Sequence, residues 1–274
     1  MPVFWFSWSV SPIWIWWKVG LVFIILHIFL YPASNAFNSY YDKDEDSIGG
    51  LKHPPKVTDQ LLWTALAFDG IALLLGLLLG WWFVAGLFIY GLASKAYSYD
   101  KIRLKKYPVV SWIIAGFFQG FFTFIMVYQA LNATTLTELI KPPILIPASL
   151  STALLMGFYP MTQIYQHEED ARRGDMTMSR LLGIKGTFIF TALVFLTSTA
   201  GFYFYFQTYH SFLLFVLFQV FLAPGLIFFV WWFLQVNKDI SKADFEATMK
   251  LNLTSSVGTN LFFIISGLII HSVL

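Results

Sequence analysis

The sequence has no cysteine. That excludes a disulfide framework, a thiolate nucleophile and a Cys-based zinc site, and it leaves the compartment open. Charge is scarce as well: Asp, Glu, Lys and Arg make up 12% of the 274 residues, against about 25% in an ordinary soluble domain. No polar stretch is long enough for a separate soluble domain and no low-complexity linker divides the chain, so 1–274 reads as a single integral-membrane domain. A net charge of +2 points to no particular partner beyond membrane lipid, and nucleic acid is not expected among them.

What the chain does have is apolar mass: 58% hydrophobic residues, with 30 Phe and 11 Trp. Such aromatics suit both bilayer interfaces and the wall of an apolar cavity. Apolar stretches of about 17 to 25 residues mark spanning helices. Nine segments stand out, near 1–11, 14–37, 61–79, 81–97, 109–130, 143–165, 186–206, 211–236 and 255–274. The expected fold is an all-α polytopic transmembrane bundle of about nine helices. Its first segment is half a helix, because Ser11-Pro12 follows too soon for a helix to cross a core of about 30 Å. The first Lys is Lys18, so no basic region marks a cleaved signal peptide. The expectation is that the start of this helix is missing, which an upstream in-frame apolar extension of about 15 to 25 residues would bear out.

The loops alternate in charge. Lys43, Lys52 and Lys56 follow the second segment, Lys101, Arg103, Lys105 and Lys106 the fourth, Arg172, Arg173, Arg180 and Lys185 the sixth, and Lys238, Lys242 and Lys250 the eighth, whereas the opposite loops hold only Lys18 and Lys141. The positive-inside rule assigns the basic loops to the cytoplasm. Two acidic runs lie in the same loops: Asn38 to Asp46, and Gln166 to Asp175. Each ends a spanning segment and is followed by a Gly-containing loop and further spans, a weak internal repeat of the kind that often sets a site between two halves. Gly76-x-x-x-Gly80 and Gly116-x-x-x-Gly120 match the pattern that permits close helix packing.

At about 100° per residue, Asn38, Asp42 and Asp46 fall within roughly 80° of one helix face, and Gln166 and Asp170 within about 40° of each other. Each set aims oxygen atoms at one point, and Glu169 or His167 is placed to complete the second. A diphosphate-bound Mg2+ prefers oxygen, so His167 is read as an interfacial histidine. Small hard cations are held by one or two carboxylates together with substrate phosphates, so the two faces suggest a metal-diphosphate site. In the third polar patch, from Ser94 to Lys106, the positive-inside rule accounts for Lys105 and Lys106. Lys95 sits nearer the inner end of an apolar helix, where it either snorkels or faces a phosphate. Asp69 is a lone acid within the third span, read as structural or interfacial.

Asn38-x-x-x-Asp42-x-x-x-Asp46 resembles the first aspartate-rich motif of the UbiA superfamily of intramembrane prenyltransferases. Asp170 through Gly174, Asp175, Thr177 and Leu182-Gly183 looks like the second motif with its continuation, and Tyr97-Ser98 with Arg103-Leu104-Lys105 like the loop after the fourth helix. The likeness covers essentially the whole chain, with one departure: the second motif normally reads Asp-x-x-x-Asp, and Gln166 stands in place of its first Asp. A neutral amide binds Mg2+ less strongly than a carboxylate, which marks a divergent member.

The resemblance implies a central cavity and Mg2+-dependent transfer of a prenyl group from an isoprenyl diphosphate donor to a lipophilic, aromatic or quinone-precursor acceptor. Asp42, Asp46 and Asn38 would hold one Mg2+, and Asp170 with Gln166 or Glu169 another; Asp42, Asp46, Asp170 and Lys95 are the implied catalytic residues. Lys52, Lys95, Lys101 and Arg103 would neutralise the leaving diphosphate. Two other readings compete. One is another metal-dependent membrane transferase acting on a diphosphate lipid, of phosphatidyl or glycosyl type, whose CDP-alcohol version would carry a longer Asp-Gly and Ala-Arg motif that is absent here; the other is a cation or lipid transporter, which would place ionisable residues near mid-membrane rather than at helix ends.

Overall fold

A computed structural model describes residues 2–43 and 47–273. Nine main helical segments run through the described residues, as the apolar pattern predicts: α1 (Pro2–Ser9), α2 (Trp16–Asp42), α3 (Asp59–Gly76), α4 (Trp81–Ser98), α5 (Pro108–Asn132), α6 (Pro142–Phe158) with its extension α7 (His167–Arg173), α8 (Met178–Tyr209), α9 (Phe212–Lys238) and α10 (Phe245–Val273). No strand occurs among the described residues; Ile48 and Leu51 form only an isolated bridge. Seven of the segments are long and apolar enough to cross a bilayer. The others are α1, too short at eight residues, and α4, whose Trp, Tyr and Ser residues and Lys95 dilute its apolar content.

The bundle is inside out relative to a soluble protein. Large apolar side chains such as Ile227 (70% exposed), Leu196 (68%) and Leu74 (67%) cover its outer surface, which suits lipid and would aggregate in water. Aromatics also fill the interior. The half-length α1 is itself core: Phe4, Phe6 and Trp8 are buried, and Phe6 stacks on Phe263 of α10 with ring centroids 4.3 Å apart.

Two spans widen locally to π geometry. In α2 the wide turn Ile25–Leu30 immediately precedes Pro32, which has no N–H to give to the turn before it. In α5 the turn Phe118–Phe122 lies against α6, and Thr152 Oγ1 accepts from the Phe121 N–H at 2.8 Å. Gly120 makes this approach possible, because a Cβ there would meet the Thr152 backbone at 2.6 Å. The Gly116/Gly120 pattern is therefore a packing motif. Gly76/Gly80 is not: Gly80 has φ 110°, lies in the α3–α4 turn and has no neighbour close to where a Cβ would be.

The second acidic run departs from the regular helix assumed in the angular reading. After α6, Pro160 cannot donate a backbone hydrogen bond, and the chain tightens to 3-10 geometry over Tyr159–Gln166 before α7 starts. Gln166, at φ −98° and ψ 5°, is the joint between the two, so the 40° separation from Asp170 does not apply. Gly174 in the left-handed region (φ 75°) ends α7, and Gly183 (φ 69°, ψ 166°) breaks α8 after its first turns.

Candidate active site

The two acidic helix ends meet over one cavity of about 390 Å³. It is walled by the inner ends of α2, α4 and α5, the 3-10 stretch with α7, the start of α10, and Ile48-Gly49. Local structure explains how α2 delivers its donors. Lys43 closes the helix in the left-handed conformation, its N–H bonded to the Ser39 carbonyl at 2.9 Å, so Asp42 is the last helical residue and keeps the Asn38 register. Asn38 Oδ1 accepts from Ser98 of α4 at 2.6 Å, and one turn deeper Ser34 bonds Ser94, so paired small polar residues pin α2 to α4.

Asp42 is buried, and three cations surround it. Lys105 Nζ makes an ion pair with its Oδ1, while Arg103 Nη2 and Arg173 Nη1 each stand 3.8 Å from that oxygen. Even so, Oδ1 has no well-directed hydrogen bond. Beside it Asp175, 1% exposed, takes a forked bond from Arg103 (Nε to Oδ1 2.9 Å, Nη2 to Oδ2 2.8 Å) and faces Lys105 at 3.5 Å. These bonds to Asp175 raise the Arg103 pKa above its ordinary value, so its charge is fixed. On the other wall Asp170 accepts from Thr177 Oγ1 at 3.0 Å, and the buried Glu169 pairs with Arg173 at 3.2 Å. Tyr97 and Tyr159 join hydroxyl to hydroxyl across the cavity between α4 and the 3-10 stretch.

Of the residues singled out from the sequence, Asn38, Asp42, Gln166, Glu169 and Asp170 all line this cavity. Asp46 lies outside the described residues. Arg103 sits just behind the lining, holding Asp175. The remaining cations are elsewhere. Lys52 is exposed and pairs with Glu246 of α10 at 2.6 Å, and Lys101 is exposed in the loop after α4. Lys95 corrects both options expected of it, for it neither snorkels nor reaches the cavity: it pairs with Asp69 of α3 and lies 5.3 Å from the centre of the Phe37 ring. Two charges that would each be costly alone in an apolar bundle satisfy one another. His167 bonds Ser179 at 2.8 Å and stays out of the lining.

The sequence reading assigned no site role to Lys105, Arg173 or Asp175. Lys105 was set aside with Lys106 as a positive-inside anchor, yet the two differ: Lys105 is buried, and Lys106 is exposed, 5.0 Å from the centre of the Tyr107 ring. A usable signal existed: the short 3-10 turn Leu104–Lys106 buries Lys105 and exposes Lys106, and adjacent lysines on so tight a turn cannot share a face.

The donor set suits a small hard divalent cation. Every candidate atom is oxygen, and the buried Asp42 Oδ1 lacks a directed hydrogen bond. Among the described residues no three Asp, Glu or His side chains gather into an all-protein cage. Mg2+ rarely needs one, because it keeps waters and takes phosphate oxygens alongside one or two carboxylates.

Comparison with known proteins agrees with the fold. The family model for the UbiA prenyltransferase family matches residues 1–254. No curated protein matches the sequence. Among solved structures, digeranylgeranylglyceryl phosphate synthase is 17% identical with a TM-score of 0.60, covering 97% of this chain and 90% of that one. A UbiA homologue from Archaeoglobus fulgidus bound to DMAPP and Mg2+ is 15% identical with a TM-score of 0.59, covering 100% and 97%. The same homologue bound to GPP and Mg2+ gives 16% and 0.58, covering 99% and 97%. At such identities the likeness to these structures is one of fold.

Proposed function

This chain belongs to the UbiA prenyltransferase family, and from that premise we propose that it transfers a prenyl group from an isoprenyl diphosphate to a lipophilic acceptor inside the membrane, with Mg2+ as cofactor. The reading rests on one observation above all: Asp42 and Asp170, far apart in sequence, line the same cavity together with the cations Lys105 and Arg173. The solved relative binds DMAPP, GPP and Mg2+, and an allylic diphosphate is the donor we assign here. Both acidic runs, with the basic loops, are assigned to the cytoplasmic face by the positive-inside rule.

Asp42, Asp46 and Asn38 would hold Mg2+ on one side of the diphosphate, and Asp170 with Gln166 or Glu169 on the other. Bound there, Mg2+ supplies Lewis-acid stabilisation of the departing phosphate oxygens. Lys105 and Arg173 add charge on the same side, and Arg103 fixes the wall through Asp175. The allylic C–O bond breaks with its electron pair leaving on diphosphate. The acceptor then gives an electron pair to the resulting cation and loses a proton. Tyr90, Phe118, Ile114 and Ala115, which line the same cavity, would offer an apolar bed for the prenyl tail, and Tyr97 and Tyr159 add two aromatic rings to its wall. Aromatic faces attract a cation as they attract an ammonium, and the packed bundle keeps water from capturing it.

The test is purified protein in lipid nanodiscs with labelled prenyl diphosphates of several lengths and a lipid extract. Mg2+-dependent formation of a prenylated lipid, abolished by Asp42→Ala and by Asp170→Ala, is expected. Product formation unchanged in either variant would overturn the assignment.

A further inference from the structure

Asp42 already has a cation. Lys105 Nζ contacts the same buried Oδ1 that faces the cavity, and this side chain is itself only 10% exposed. The charges close in pairs: Arg103 is forked onto Asp175, Arg173 pairs with Glu169, and Lys105 is left to Asp42, so these six groups make three positive and three negative charges, with Asp170 adding one negative charge on the opposite wall. Such a set offers little net field to a divalent cation arriving alone, and that cation would have to displace an ammonium already in contact.

The two cations differ in their freedom to move. Arg103 is a rigid fork with both prongs engaged, held in the left-handed backbone region (φ 43°) at the head of the 3-10 turn. Lys105 is a point charge on a flexible stem, and it lines the cavity whereas Arg103 does not. A diphosphate entering the cavity therefore meets Lys105, with Arg173 beside it, and brings several negative charges to compete for its ammonium.

We infer that Lys105 is a tethered counter-ion on Asp42, holding that carboxylate against divalent metal until a diphosphate draws the ammonium away, so that metal and diphosphate load together. Either one alone binds weakly, and each strengthens the other, since coupling between two sites is reciprocal. The inference rests on reading the cavity as a metal-diphosphate site. Its consequence is that the enzyme does not hold Mg2+ on Asp42 between turnovers.

Mn2+ binding, followed by the loss of its free-ion paramagnetic resonance signal beyond that seen in protein-free mixtures of Mn2+ and methylenediphosphonate, tests this in the protein in detergent, with methylenediphosphonate as a probe that carries the charges of a diphosphate but has no allylic C–O bond to break. In wild type, methylenediphosphonate is expected to tighten Mn2+ binding by about tenfold or more, a usual size for coupled sites. In Lys105→Met, Mn2+ alone is expected to bind about tenfold more tightly than to wild type, while methylenediphosphonate alone binds more weakly. Lys105→Gln provides the same readout should the Met variant fail to fold, and Lys105→Arg is expected to keep the weak binding of Mn2+ alone but to lose part of the strengthening by methylenediphosphonate, because a guanidinium fork is harder to draw away. An unchanged or weaker Mn2+ affinity in the folded Met or Gln variant, with diphosphonate-assisted binding intact, overturns the counter-ion role and leaves the site reading standing. Failure of wild type and variants alike to bind Mn2+ even with methylenediphosphonate removes both.

Discussion

Among the described residues two ion-pair systems sit partly or wholly inside the bundle, and they do different jobs. Lys95 and Asp69 join α4 to α3 as one cation and one acid, 21% and 18% exposed, beside Phe37 and away from the cavity. Lys105 and Asp42 are more deeply buried, at 10% and 5%, yet they open onto the cavity and share their surroundings with Asp175, Arg103 and Arg173. A pair that stands away from the cavity contributes to the fold. A pair that faces a cavity can exchange partners, which is what a site for charged substrates requires. Burial alone does not separate the two systems. What separates them is whether a third charged body can reach them.

The sharpest break of this comparison is at Asp42. Asp42→Ala is expected to lower kcat/KM by about 10³-fold, the scale on which a group stabilising developing charge is lost. The fold should survive, because Lys105 keeps Asp175 as a neighbour at 3.5 Å. Turnover of a labelled prenyl diphosphate in nanodiscs, read beside the thermal unfolding midpoint, checks both halves.

Arg103→Gln comes next. It removes the forked bond to Asp175, a carboxylate 1% exposed, and leaves it Lys105 at 3.5 Å, so the expected loss is about 2 kcal/mol of stability, the scale of a hydrogen bond to a charged group, together with a fall in activity. Adding Asp175→Asn should return most of the unfolding midpoint and little of the turnover. Recovery of full activity in the double variant would show that the Arg103 latch serves the fold alone, as Lys95 does.

At the closed pair the prediction reverses. Lys95→Met alone is expected to destabilise the protein by about 3 kcal/mol, whereas Lys95→Met with Asp69→Leu, which replaces the pair by apolar neighbours, should restore stability and keep turnover within about threefold of wild type. A stable double variant that has lost its activity would return Lys95 to the catalytic role the sequence suggested.

These contrasts also mark how far the sequence could be read. The nine helices were legible because hydropathy reports burial in lipid directly, and even the half-length α1 could be found from the early Ser11-Pro12. Asn38 and Asp42 were legible because α2 stays helical up to Asp42, so spacing translates into a shared face. Gln166 and Asp170 reach the same cavity by a less regular route, through a 3-10 stretch set off by Pro160 that spacing arithmetic does not contain. The cations were the least legible. Lys95, Lys52, Lys101 and Lys105 all lie in or beside the basic loops in sequence, and where each of three of them ends up is decided by a partner distant along the chain: Asp69 for Lys95, Glu246 for Lys52, Asp42 for Lys105.

Lys52 gives the smallest expected effect and isolates the value of position. Like Lys105 it is a lysine paired with a single acid, Glu246 at 2.6 Å, and that bond raises its ammonium pKa above the ordinary value. Both of these side chains are exposed to water, however, and neither lines the cavity. Exposed pairs are screened by salt and offset by the entropy of holding two long side chains in place. The pair does tie the segment carrying Ile48 and Gly49, which line the cavity, to α10, where the Gly50 N–H also meets the Met249 sulfur at 3.3 Å. Lys52→Gln is therefore expected to leave kcat unchanged and to raise KM for the diphosphate donor by about twofold at low salt, with the difference vanishing near 0.5 M NaCl as screening removes the wild-type advantage. A salt-independent loss of tenfold or more would place Lys52 at the substrate and not at the rim, and the division between cations that touch the cavity and cations that only frame it would have to be redrawn.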